Sequence, residues 1–260
     1  YYPSPTSQTP EYDVLFVGNI HQFDNYRKLI GFDTLDPVTQ QLMLHARERL
    51  SAWVSACGEN EPFVLPDLDP FLRQCLAEIG QAHVGDPAHW RSIVYYFRYR
   101  VAHLVLREMY VSALTEFRLG LFGRGWETFP AVARFAQPEI ANGEPLREAI
   151  GRSAINLHLH TWTVHHPRLY DTAAAGGFLL VGRIPEEDLV SASFTPGSEL
   201  DTFGSIAELK RKIRYYLDHP DERLAMAARA AQRARSCHTM QHRMAELVQY
   251  LSKDIDDQQS

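Results

Sequence analysis

Between Leu157 and Asp171 the chain sets out His158, His160, His165, His166, Arg168 and Asp171. Imidazoles hydrogen-bond, move protons near neutral pH or ligate metals. A guanidinium grips two oxygens of a phosphate or carboxylate at once. A carboxylate accepts hydrogen bonds from vicinal hydroxyls, as acidic residues do for ribose in other nucleotide folds. His158 and His160 are two residues apart, so on a strand they share one face. Zinc would want a third fixed ligand and none stands out, so no metal is expected. His160 is then the candidate for an acid/base or hydrogen-bonding role, with simple loop lining as the plainer alternative.

His166-Pro167-Arg168 reads as a helix start, because proline suits the first turn, where its missing N–H costs nothing. Free amides and the positive dipole end at such a start favour an anion. Arg168 adds a fixed charge to that site, unless it pairs with a surface carboxylate. Asp171, one turn further on, either takes up ribose hydroxyls or complements the helix dipole. Ala173–Gly177 closes the helix with small residues. Gly176 suits a left-handed cap, and bare backbone at Gly176 and Gly177 equally admits close approach of a ligand. Gly18-Asn19 offers backbone N–H groups to a phosphate, although the dinucleotide fingerprint GxGxxG is absent. In Gly123-Arg124-Gly125-Trp126 either Arg124 or Trp126 faces a ligand, or the segment is a plain turn.

These residues need a frame. Asp13–Gly18, Arg118–Gly123, Ala154–Leu159 and Gly177–Gly182 are short apolar runs of the kind buried parallel strands require. Helical patterns lie between them, so the expected class is α/β, a parallel sheet with helices on both faces. Right-handed crossovers gather the carboxyl ends of the strands on one edge, where the loops after Gly18, Gly123 and Leu159 meet. A helical insert is expected after the first strand, over about residues 33–86, with apolar spacing at Val38–Trp53 and Leu68–Ile79. Asp86-Pro87 then caps a long helix over 88–116. Its aromatic stripe, Trp90, Tyr95, Tyr96, Phe97 and Tyr99, either lines a groove or packs the insert onto the sheet. The carboxyl-terminal part is helical: Ser205-x-x-Glu208 is a capping box, 221–235 is rich in Ala, and Thr239 caps a last helix to about Ser252. Residues 253–260 read as a frayed tail.

The chain of 260 residues carries a formal charge of −6, which argues against a general nucleic-acid surface but leaves room for a small basic pocket. Cys57, Cys75 and Cys237 have no metal-type spacing and read as reduced thiols. No apolar run approaches the roughly 18–20 residues of a membrane helix and no signal peptide is visible, so a cytoplasmic location is expected. The opening YYPSPTSQTPEY reads as a linker over residues 1–12 from a preceding domain, with one ligand-binding domain over 13–252.

The motifs DVLFVGN, LGLFGRGW, INLHLH with HHPRLYDTAAAGGFLLVGR, FTPGSELDTF, SIAELKRKIRYYLDHPDER and RARSCHTMQHR occur in that order. Taken together they resemble the donor-binding, Rossmann-like half of a GT-B glycosyltransferase, in the group-1-like branch often labelled spore maturation proteins. The resemblance spans most of residues 11–250 outside the insert. It implies a nucleotide-diphosphate sugar as donor, an unknown acceptor, no cofactor and no metal. It further implies that Asp171 binds the donor ribose, that Gly176 and Gly177 sit beside the donor, and that Arg168 or Arg124 neutralises diphosphate. His160 becomes a polar contact to sugar or phosphate. Retaining members carry two glutamates at positions held here by Thr163 and Asp171, so the first carboxylate is missing and the second shortened. That departure keeps open a non-catalytic scaffold or partner-binding role. A different Rossmann-like enzyme, such as a methyltransferase, rests on DVLFVGN alone.

Overall fold

The computed structural model describes residues 9–20, 31–62, 65–160, 165–183 and 189–258. Six strands form one sheet: β1 (Tyr12–Val17), β2 (Leu119–Phe122), β3 (Ala136–Gln137), β4 (Ser153–His158), β5 (Leu179–Gly182) and β6 (Asp201–Phe203). Every pairing is parallel, in the order β3-β2-β1-β4-β5-β6. The apolar runs give this arrangement because strands covered on both faces need hydrophobic side chains in both directions. Val14 and Phe16 of β1 join Leu119 and Leu121, Leu157 and Leu180 in a core on one face. Leu15 and Phe122 meet Leu146, Ala149 and Ile150 on the other, and Leu179 and Val181 meet Leu169 and Ala173 on that same side.

Helices cover both faces, as expected. The long β1–β2 connection contains α1 (Pro37–Ala56), α2 (Leu68–Glu78), α3 (Pro87–Tyr96) and α4 (His103–Ser112). After β3 come α5 (Glu144–Gly151), α6 (Pro167–Ala174), α7 (Leu189–Ser193), α8 (Ile206–Asp218), α9 (Pro220–Cys237) and α10 (Met240–Gln258). The caps read from sequence form as chemistry requires. The Asp86 carboxylate accepts from the amides of Ala88 and His89, both at 2.8 Å. Ser205 Oγ accepts from the Glu208 amide at 3.1 Å, while the Glu208 carboxylate reaches back to Gly204 N–H at 2.8 Å, one residue before the usual capping-box partner.

Several details differ from the expectations. The long helix expected over 88–116 is broken by a π turn, Phe97–Ala102, and ends at Ser112. The helical unit is also larger than residues 33–86. Its core of Phe32, Leu42, Leu50, Leu72, Trp90 and Phe97 runs on through Val101 and Val105, whereas Leu104, Leu106, Tyr110 and Val111 belong to the sheet core. The extra residue of a π turn rotates the helix so that one helix serves two cores in succession. The aromatic stripe accordingly splits: Trp90 and Phe97 are buried inside the insert, and Tyr95 stacks on Tyr99 at 3.9 Å on its outer side. Finally, α5 and the short strands β3 and β6 were not foreseen; two or three residues leave no readable alternation. The last helix continues past Ser252 to Gln258, where the sequence alone suggested a frayed tail.

Candidate functional site

The strand order reverses between β1 and β4, since β2 and β3 lie to one side of β1 and β5 and β6 beyond β4. In open α/β sheets, ligands bind outside the carboxyl ends of the strands at such a switch point. A cavity of about 350 Å3 opens there. Its walls come from Phe16–Asn19 at the end of β1, Leu157–His160 at the end of β4, His166 and Arg168 at the start of α6, and His103 and Arg107 on α4. Strand spacing sends His158 and His160 the same way, with ring centroids 4.8 Å apart, and His166 stacks on His160 at 4.4 Å. Among the described residues, two guanidinium groups and four imidazoles therefore converge and no carboxylate lines the cavity.

That charge distribution has consequences for titration. Burial, then the neighbouring His158, His166, Arg107 and His103, push His160 down to about 2. Burial, then Arg168 and Arg107, hold His166 below its ordinary value. Both rings are neutral at physiological pH, so each presents one N–H donor and one acceptor. The fixed positive charge comes from the arginines. Arg107 is tied to β1 through Nη1, which donates to the Asn19 carbonyl at 2.7 Å. Arg168 Nη2 donates to Asn142 Oδ1 at 3.4 Å.

Of the residues singled out from sequence, Gly18, Asn19, His160, His166 and Arg168 are brought together in the cavity wall. Others are not, and each has a physical reason. The Arg124 side chain is exposed and pairs with Glu139 at 2.8 Å; only its backbone N–H reaches the site's edge, donating to Asn19 Oδ1 at 2.9 Å. Trp126 is fully buried, its Nε1 donating to the Gly18 carbonyl and its ring edge-on to Phe16, so it buttresses the β1 end and faces no ligand. Gly176 and Gly177 lie at the amino end of β5, on the opposite edge of the sheet. Gly176 (φ 83°) and Gly177 send their amides back to Ala173 and Thr172, closing α6 with a Schellman motif. A side chain on Gly177 would collide with Ile150 and Asn156, so it is kept bare by packing. His165 leaves the cluster to bond Tyr170 Oη at 2.5 Å.

The turn at Pro167 also differs from the free-amide cradle expected. His166 is the N-cap, and its Nδ1 accepts the Arg168 amide at 3.2 Å; the Leu169 amide turns back to the His166 carbonyl at 2.9 Å. Side chains, more than helix amides, make up the binding surface. Asp171 stands one turn beyond Arg168 and does not line the cavity; burial raises its pKa and Arg168 opposes that rise. Thr163 lies outside the described residues.

His103 and Arg107 were missed in the sequence. They stand one turn apart, at i and i+4, on a helix that is largely apolar apart from Glu108 and Ser112, and that polar pair was the available signal. The π turn just before them aims this face at the strand ends. Among the described residues the one trio of potential metal ligands is His45, Cys75 and Glu78, far off in the insert, where Glu78 is already held by His45 at 2.7 Å and Arg49 at 2.6 Å. No helix among the described residues is long and apolar enough to cross a membrane.

Searches of curated proteins and of solved structures return no match. A family model described as glycosyl transferase-like matches residues 100–249, more than half of the chain, from the π turn through the site on β4 and α6 to α10. The parallel sheet, its switch-point cavity and this match agree: the chain belongs to the glycosyl transferase-like family.

Proposed function

We propose that the cavity between β1 and β4 receives the diphosphate of a nucleotide-sugar donor, and that the chain is the donor-binding half of a two-domain GT-B enzyme of the spore maturation protein branch. The observation that carries this reading is a cavity that Arg107, Arg168 and four histidines line, with no carboxylate among the described lining residues, at the strand ends of a glycosyl transferase-like chain. Departure of a nucleoside diphosphate adds negative charge to its bridging oxygen. Pre-placed guanidinium and imidazole donors stabilise that charge without a metal, most strongly where water is excluded. Asp171, a turn along α6, is proposed to meet the ribose of a donor that extends out of the cavity. Neutral His160 donates or accepts a hydrogen bond at the sugar or phosphate, and its burial makes it a poor general base.

Calorimetric titration with UDP, GDP, ADP and their sugars tests this directly. At least one is expected to bind more tightly than about 1 mM, or about −4 kcal/mol. Arg107→Ala and Arg168→Ala should each weaken it by about 1.5–3 kcal/mol, the range for charged hydrogen bonds, and Arg124→Ala should leave it alone. Binding weaker than millimolar for every nucleotide would end the proposal. Thr163, which stands where retaining relatives carry a glutamate, favours one rival, a glycosyltransferase-like scaffold that binds without turnover; sugar transfer to any acceptor excludes it.

A further inference from the structure

In the helical insert, the packing of α1 on α2 gathers a thiol, an imidazole and a carboxylate at one point. His45 and Arg49 stand one turn apart on α1, and Gln74, Cys75 and Glu78 belong to α2. A His45 ring nitrogen, Cys75 Sγ and a Glu78 carboxylate oxygen all lie within 4.8 Å of one another. Ligand atoms around a tetrahedral zinc ion stand about 3–4 Å apart, so side-chain rotations of about 1 Å would close the trio on one ion.

Glu78 is already oriented for that role. Its Oε1 accepts from Arg49 Nη1 at 2.6 Å and from Gln74 Nε2 at 3.1 Å, while its Oε2 meets His45 Nε2 at 2.7 Å. One oxygen is thus fixed by outer hydrogen bonds, as those of metal-bound carboxylates are, and the other points at the imidazole. Leu42 and Ala46 of α1 and Leu72 and Leu76 of α2 are buried in the same core as Cys75. His45 and Glu78 keep 31% and 28% of their side chains exposed. An ion would therefore have an apolar floor and a way in from solvent. Charge also balances, since a thiolate and a carboxylate together cancel a divalent ion. Calcium and magnesium want oxygen ligands, whereas a thiolate with an imidazole suits zinc.

We propose that His45, Cys75 and Glu78 bind a zinc ion that ties α1 to α2. Zn–S, Zn–N and Zn–O bonds form as the Cys75 thiol gives its proton to solvent. The proton between His45 and Glu78 leaves with it or moves to the other ring nitrogen, and water takes the fourth position. Cobalt(II), added to the reduced whole chain, should show thiolate-to-cobalt charge transfer, which histidines and carboxylates cannot produce. Zinc should displace it with a Kd below about 1 µM. The band should survive Cys57→Ala with Cys237→Ala and vanish in Cys75→Ala. Cys75 is buried, so the part-exposed ligands supply an arm that does not depend on core packing. His45→Gln and Glu78→Gln should each weaken the cobalt titration at that band by more than about tenfold, the least that losing an outer-shell partner costs. Amide exchange over α1 and α2 should slow when zinc is added. Cobalt bound without the band, a band that survives Cys75→Ala, or wild-type affinity in both glutamine variants overturns the proposal. So does zinc affinity weaker than micromolar. Exchange that zinc leaves unchanged overturns the tie between the helices.

Discussion

His160 sits where burial and charge both oppose its protonation. Its pKa falls to about 2 in the folded chain against about 6.5 when unfolded, and His166 is shifted the same way. Between those values the unfolded chain binds more protons than the folded one. Stability therefore rises with pH across the window and is lost as pH drops below about 6.5. The slope per fully shifted histidine is about 1.4 kcal/mol per pH unit. Urea unfolding at pH 7, 6 and 5 should show this decline above the carboxylate range, and His160→Asn should shallow it. An identical slope in the variant would mean that the ring is not held neutral. On the proposed function, a bound diphosphate would relieve the repulsion between the Arg107 and Arg168 guanidinium groups.

At the scale of elements, the site depends on where chain segments stop. β1 ends against β2 at Gly123, whose φ of 137° and closeness to the Gly18 carbonyl admit no side chain, and Trp126 fastens the same carbonyl from below. The π turn fixes the azimuth of His103 and Arg107. The Schellman end of α6 seats the helix at the opposite edge of the sheet, against Ile150 and Asn156. Gly177→Ala isolates this last role, since the added Cβ would lie 2.5 Å from Ile150 Cγ2 and 2.7 Å from Asn156 Nδ2. Overpacking of this sort costs about 1–3 kcal/mol, read by chemical denaturation. The folded variant should bind nucleotide as the wild type does. A selective loss of affinity at unchanged stability would instead return Gly177 to the ligand site.

For the whole molecule, two hydrophobic cores meet along one helix. Val105 packs into the insert, and its neighbours Leu104 and Leu106 pack into the sheet core. Neither core can dissolve without exposing one side of α4, and with it the wall that bears Arg107. Insert and sheet are therefore expected to unfold together. Near-ultraviolet circular dichroism and tryptophan fluorescence should trace coincident urea transitions, with Trp53 and Trp90 in the insert and Trp126 by the sheet. Separate transitions would show that the insert is an independent unit.

Residue order alone determined the parallel sheet, the helices on both its faces, the caps at Asp86 and Ser205, and the grouping of Gly18, Asn19, His160, His166 and Arg168. Those features follow from local periodicity, from helix-end chemistry and from the handedness of crossovers, all of which act over short stretches of chain. Only the tertiary structure decided that His103 and Arg107 line the cavity, because an unforeseen π turn rotates their helix and they join strand ends far away in sequence. It also placed Arg124, Gly176 and Gly177, which look like binding residues by type, outside the cavity lining. An ion pair with Glu139 claims the first, and close packing at the opposite edge of the sheet claims the glycines. A residue's type sets what it can bind, but the partner it meets first is settled by packing.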